Sequence, residues 1–170
     1  MQTSTVRLYT LDYHDVKTYM AATLFVLGNI ALPQLFHLVP QGGMTWLPIY
    51  FFTLVGAYKY GWKVGLITAV MSPVVNSLLF GMPMPAVLPA IILKSVLLAA
   101  AAGLAAHRFN RVTLPLLLGV VLAYQVVGTL GEWALKGDFY LAAQDFRIGI
   151  PGMILQVVGG YAFIKYLLRK

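Results

Sequence analysis

The stretch Ala86-Val-Leu-Pro-Ala-Ile-Ile-Leu-Lys94-Ser-Val-Leu-Leu-Ala-Ala-Ala-Ala-Gly103-Leu-Ala-Ala106 decides the fold class: it is apolar throughout except for Lys94 and Ser95. About 20 predominantly apolar residues suffice for a helix to cross the hydrocarbon core of a bilayer. Working outward, five further stretches of this kind lie between charged or Gly/Pro breaks: Thr18–Leu38, Met44–Tyr58, Trp62–Phe80, Thr113–Leu135 and Gly149–Leu168. The second is short and has Pro48 near its start. The reading is an all-α membrane protein, a bundle of six transmembrane helices forming a single integral membrane domain over residues 1–170. Composition agrees. The 170 residues are 60% hydrophobic and 10% charged, whereas a soluble domain is about a quarter charged. A water-soluble globule and a disordered chain are excluded by the scarcity of charge. The absence of cysteine excludes a disulfide scaffold, a thiol nucleophile and a thiolate metal site.

Loop charge orients the expected bundle, because Lys and Arg concentrate in cytoplasmic loops. Arg7 and Lys17 precede the first span, Lys59 and Lys63 follow the second, Arg108 and Arg111 follow the fourth, and Lys165, Arg169 and Lys170 lie at the C-terminus. The alternate loops hold Lys136 and Arg147 alone. This asymmetry predicts N- and C-termini in the cytoplasm, and it reads the net charge of +7 as topology, with no nucleic-acid partner. The first 17 residues lack the apolar core and cleavage pattern of a signal peptide, so they are expected to be retained. Tyr58, Tyr60 and Trp62 at one face, and Trp46 and Trp133 at the other, are expected as interfacial aromatics.

Polar side chains inside a bilayer need partners, so they mark candidate function. His37, Asn76, Lys94, Gln125, Glu132 and Gln156 all fall in the outer half of the expected membrane, while the inner half is apolar or small. Gln125, Gly128 or Thr129, and Glu132 repeat along one helical stripe. Lys94 lies about 12 Å inward from the outer end of its span at 1.5 Å per residue. This distribution predicts a polar cavity open to the outside. Lys94 reads either as a contact for an anionic or carbonyl group of a ligand, or as an ion pair with Glu132, or as a lysine snorkelling outward. Gln125, Asn76 and Gln156 read as ligand contacts or interhelical hydrogen bonds, and His37 as a residue at the mouth. Tyr124, Trp133, Tyr50 and Phe51 are candidates to stack a flat ring. The small-residue pairs Ala99/Gly103 and Ala102/Ala106 let helices approach closely.

No HExxH, Walker or GxSxG sequence is present, and no carboxylate has an evident second carboxylate beside it in the membrane. The expectation is therefore a non-enzyme without metal or cofactor.

The stretch Leu47-Pro48-Ile-Tyr-Phe-Phe-Thr-Leu-Val-Gly56-Ala57-Tyr-Lys-Tyr-Gly61-Trp-Lys-Val-Gly65, continuing through Ser72-Pro73 and Asn76 to Phe80-Gly81-Met82-Pro83, resembles the substrate-binding S components of energy-coupling factor (ECF) vitamin transporters. The resemblance lies in a Pro-started span, a Gly-Ala turn, a Gly-x-x-x-Gly entry and a Gly-x-Pro exit. It implies a multi-pass protein of the bacterial cytoplasmic (inner) membrane that captures a vitamin or related micronutrient from outside. Such a protein delivers its cargo with a transmembrane coupling subunit driven by ATPase subunits. Docking in that family often uses an Ala-x-x-x-Ala face on span one; here the small face is Ala21, Gly28 and Ala31. A solitary transporter of the same type and a non-transporting six-span scaffold such as the MreD-type cell-shape proteins are the alternatives.

Overall fold

Where an apolar run meets a residue that cannot continue a helix, the chain turns. Thr113 caps one helix through its hydroxyl, which accepts from Leu116 N, and Pro115 follows in the first turn, where no intrahelical donor is needed. At the other end of that helix Gly137 adopts φ 71° and returns its N–H to Trp133 O at 2.7 Å, a left-handed cap that a glycine takes at no steric cost. Asn110 makes the corresponding turn at φ 49°.

The computed structural model describes residues 6–168. Its helices are α1 (Val16–Phe36), α2 (Gly42–Trp46), α3 (Phe51–Tyr60), α4 (Trp62–Phe80), α5 (Leu88–Phe109), α6 (Leu114–Lys136), the short α7 (Phe139–Ala142) and α8 (Gln144–Ile148), and α9 (Ile150–Leu167). No strand occurs among the described residues. Among the described residues, helices α1, α4, α5, α6 and α9 are the 5 that are long and apolar enough to cross a membrane, and the chain is an all-α, multi-pass membrane protein. Arg169 and Lys170, counted in the charge asymmetry, lie outside the described residues.

The stretch expected as a single second span, Met44–Tyr58, is divided. Leu47 takes a left-handed φ of 47° between α2 and a 3-10 turn at Pro48–Tyr50. Pro48 contributes, since proline disfavours the right-handed helix for the residue before it. What remains, α3, has 10 residues. It is apolar on nearly every side, the pattern of a fully enclosed helix, and Phe51, Thr53, Leu54, Val55, Gly56, Ala57, Tyr58 and Lys59 are all buried. Helices α1, α4, α5 and α9 pack around it. Tyr58, expected at the interface, instead faces inward and donates its hydroxyl to Arg111 O at 2.7 Å.

Two ends of the bundle differ. At one, the extended segment before α1 runs beside the end of α3, with Tyr9 N donating to Lys59 O at 2.8 Å and Leu11 N to Tyr60 O at 3.1 Å. Lys63 pairs with Asp12 there at 2.6 Å. We call this the basic end. The opposite end gathers α2, α7, α8 and the start of α9: Gln144 Nε2 lies 2.8 Å from Met44 Sδ, and Phe36 stacks on Trp46 at 5.5 Å. The small residues of α5 face inward, with Ala99 and Ala102 buried and Gly103 set against the Trp62 backbone. On α1 Gly28 faces the Phe52 ring, while Ala31 is exposed.

Candidate functional site

Helix α5 carries Lys94 into the interior at 3% exposure. Its aliphatic stem passes directly over Gly128 of α6, where an added Cβ would meet Lys94 Cγ at 2.6 Å. The absence of a side chain at 128 is what lets the ammonium reach along α6 to Glu132. Lys94 Nζ lies 2.6 Å from Glu132 Oε2 and 2.8 Å from Asp145 Oδ2. Glu132 Oε1 in turn accepts from Lys136 Nζ at 2.6 Å, one helical turn on. Two ammonium groups and two carboxylates thus form a chain, Asp145–Lys94–Glu132–Lys136, with no net charge, its Lys136 end at the surface. Attraction within such a chain offsets the large cost of taking its ions out of water.

A neutral network joins α6 to α9. Gln125 Nε2 donates to the Tyr124 hydroxyl at 2.9 Å, and that hydroxyl donates to Gln156 Oε1 at 2.8 Å. Gln156 comes from a π-helical turn, Leu155–Gly159, and Tyr50 tilts against Tyr124 with ring centroids 5.6 Å apart. All of these side chains are buried, Gln125 and Gln156 at 0% exposure. Yet Gln125 Oε1, Gln156 Nε2, Thr129 Oγ1 and Ser95 Oγ have no hydrogen-bond partner. Buried polar atoms are nearly always bonded to protein or to ordered water.

A second polar cluster joins α1, α3 and α4. Asn29 Nδ2 donates to Thr53 Oγ1 at 3.0 Å and to Ser72 Oγ at 3.2 Å, and Asn29 Oδ1 accepts from Phe52 N at 3.0 Å. Asn76 Nδ2 donates to Asn29 O at 2.9 Å and Ser72 O at 3.1 Å.

Five of the residues singled out from the sequence therefore fall into two bonded sets, Lys94 with Glu132 and Tyr124 with Gln125 and Gln156. Asn76 belongs to the Asn29 cluster. His37 is exposed beyond α1, its Nδ1 2.6 Å from Pro33 O. Trp133, 44% exposed, faces away from Glu132 and meets Phe139 edge-on at 5.5 Å. Phe51 packs into the core against Phe52 and Phe163.

Two expectations need correction. The polar groups do not line an open pit; they are closed off, because α8 places Asp145 directly on Lys94. Cavities of about 430 and 330 Å³ lie at the basic end instead, beside Tyr9, Gly61, Trp62 and His107 in the first case and Tyr9, Lys17 and Tyr60 in the second. Carboxylates also do come together in the interior: Glu132 and Asp145 share one ammonium. Asp145 was missed because it lies 51 residues from Lys94 in the chain, in the loop between the last two expected spans. One signal was available. Of 5 acidic residues, Asp12 and Asp15 precede α1, so a buried lysine has only Glu132, Asp138 and Asp145 to choose from.

Comparison with protein-family models, with curated proteins and with solved structures gives no match.

Proposed function

We propose that this chain is a solute-binding membrane subunit of the S-component type, taking up a small vitamin-like molecule and passing it across the membrane with an ATPase-driven coupling module. In this reading α2 and α3 together supply a sixth passage, both termini are cytoplasmic, and the end carrying Lys94 faces outward in a bacterial inner membrane. The single observation that carries it is the set of unpaired donors and acceptors on Gln125, Gln156, Thr129 and Ser95, buried beside the charged chain. A bundle built only for its own cohesion gains by pairing such atoms, as the Asn29 cluster largely does. The closed geometry fits a binding centre covered by α7 and α8, with Asp145 as the tie between cover and bundle.

The test is ligand-dependent stability of the purified protein in detergent. A true ligand at a hundredfold excess over its dissociation constant adds about 2.7 kcal/mol, visible as a rise in melting temperature across a panel of vitamins and their precursors. Loss of uptake in cells carrying Gln156→Leu is the matching functional result. If no compound moves the melting curve and uptake is untouched, the proposal fails.

The full pairing of Lys94 favours a second reading, a non-transporting membrane scaffold. That reading predicts that replacing Lys94, Glu132 and Asp145 together by apolar residues of similar volume leaves function in cells intact. The solute-binding reading predicts that it does not.

A further inference from the structure

The solute-binding reading leaves the chemical class of the ligand open, and the charge balance of the centre narrows it. Lys94 is held by two carboxylates. Both oxygens of Glu132 are in use, one on Lys94 and one on Lys136. The four ions cancel. A charged ligand entering beside them would bring an uncompensated charge into a buried, low-dielectric space, or would have to break a closed pair to find a partner. The groups that do lack partners are all neutral. Gln125 Oε1 can only accept, Gln156 Nε2 can only donate, and the Thr129 and Ser95 hydroxyls can do either. The free acceptor and the free donor belong to the two amides that meet at the Tyr124 hydroxyl, and Tyr50 presents a second aromatic ring there.

Resting on that reading, we infer that the ligand is an uncharged molecule with a flat ring and an amide-like edge. Its N–H would donate to Gln125 and its carbonyl would accept from Gln156. Lys94 then serves as a structural tie rather than as the ligand's counter-ion. This reverses the expectation drawn from an isolated intramembrane lysine, which suits a carboxylate.

The experiment uses matched pairs that differ in charge at constant ring shape: nicotinamide against nicotinate, uracil against orotate, and riboflavin against riboflavin 5′-phosphate. Melting of the full-length detergent-solubilised protein is recorded against concentration of each. The expected result is a saturable upward shift from at least one neutral member, with its anionic partner weaker by about tenfold or more, the scale of one unsatisfied hydrogen bond or unpaired charge. Gln156→Leu should abolish that shift. Thr129→Val keeps shape and fold and should weaken the shift while leaving melting without ligand nearly unchanged, so the test survives if the glutamine variant does not fold. A larger shift from an anionic member overturns the inference about class while the solute-binding reading stands. No shift from any member overturns the inference about class, and the wider vitamin panel with the uptake assay then decides the solute-binding reading.

Discussion

The interior holds two polar centres, and they are built on opposite plans. The Asn29 cluster is neutral and almost fully satisfied: one asparagine reaches α3 and α4 at once, and Asn76 returns to the Asn29 backbone. Only Asn76 Oδ1 is left without a partner. The Lys94 centre is ionic on one side and, on the other, leaves four neutral atoms unbonded. On the proposed solute-binding reading, the difference separates cohesion from reception. Polar groups that fasten helices use up their hydrogen-bonding capacity on one another, whereas groups that receive a solute must keep some in reserve.

Removing one charge breaks the comparison hardest. Lys94→Met leaves Glu132 and Asp145 facing each other without the shared ammonium, and should cost about 3–5 kcal/mol of stability. Adding Glu132→Gln and Asp145→Asn to that variant should recover most of the loss, measured by thermal melting or denaturant titration in detergent. Equal melting of single and triple variants would mean that the buried charges are not coupled.

Next comes Asn29→Leu, which orphans the Phe52 N–H and deprives Thr53 and Ser72 of their donor. Each buried polar group so stranded costs about 1–3 kcal/mol in water-soluble proteins, with less in membranes where alternatives exist, so a loss of about 2 kcal/mol is expected. Binding of any ligand should be unchanged once the protein is folded. A change in affinity without a change in stability would merge the two centres into one.

Gly128→Ala tests the packing that positions Lys94. The new methyl falls 2.6 Å from Lys94 Cγ, so the lysine stem must shift away from α6. Overpacking of this kind costs about 1–3 kcal/mol. Lys94→Met in the Gly128→Ala background should then cost less than it does alone, a non-additivity readable in a double-mutant cycle.

The smallest effect is expected from the exposed pair at the basic end. Lys63 and the Tyr13 N–H hold the Asp12 carboxyl below its ordinary pKa of 3.8. A depressed carboxyl contributes stability above its unfolded-state value and loses it as pH falls through the folded value. Asp12→Asn should therefore lower melting slightly at neutral pH and not at all in strong acid. Salt should erase that difference, while leaving the Lys94 pairs intact.

Membrane character, five of the spans and the stripe Gln125–Thr129–Glu132 were legible without coordinates. Each depends on local chemistry, since a helix satisfies its own backbone and apolar length decides whether it can enter lipid. The Trp62–Phe80 helix has the same ends in sequence and structure for that reason. Pro48 was visible, but that it would leave only a ten-residue helix depended on the helices around α3, which enclose it and spare it from spanning the bilayer alone. The pairing of Lys94 with Glu132 was among the readings of the sequence and is present at 2.6 Å, but its second partner was out of reach of periodicity. Asp145 arrives from a separate short helix, and Gly128 makes room for a side chain from a different one. Hydropathy is a property of each segment, so the sequence by itself placed the chain in the membrane. Which ion meets which, and which hydrogen bonds stay unmade, are properties of surfaces brought together from distant parts of the chain, and only the packed tertiary structure could decide them.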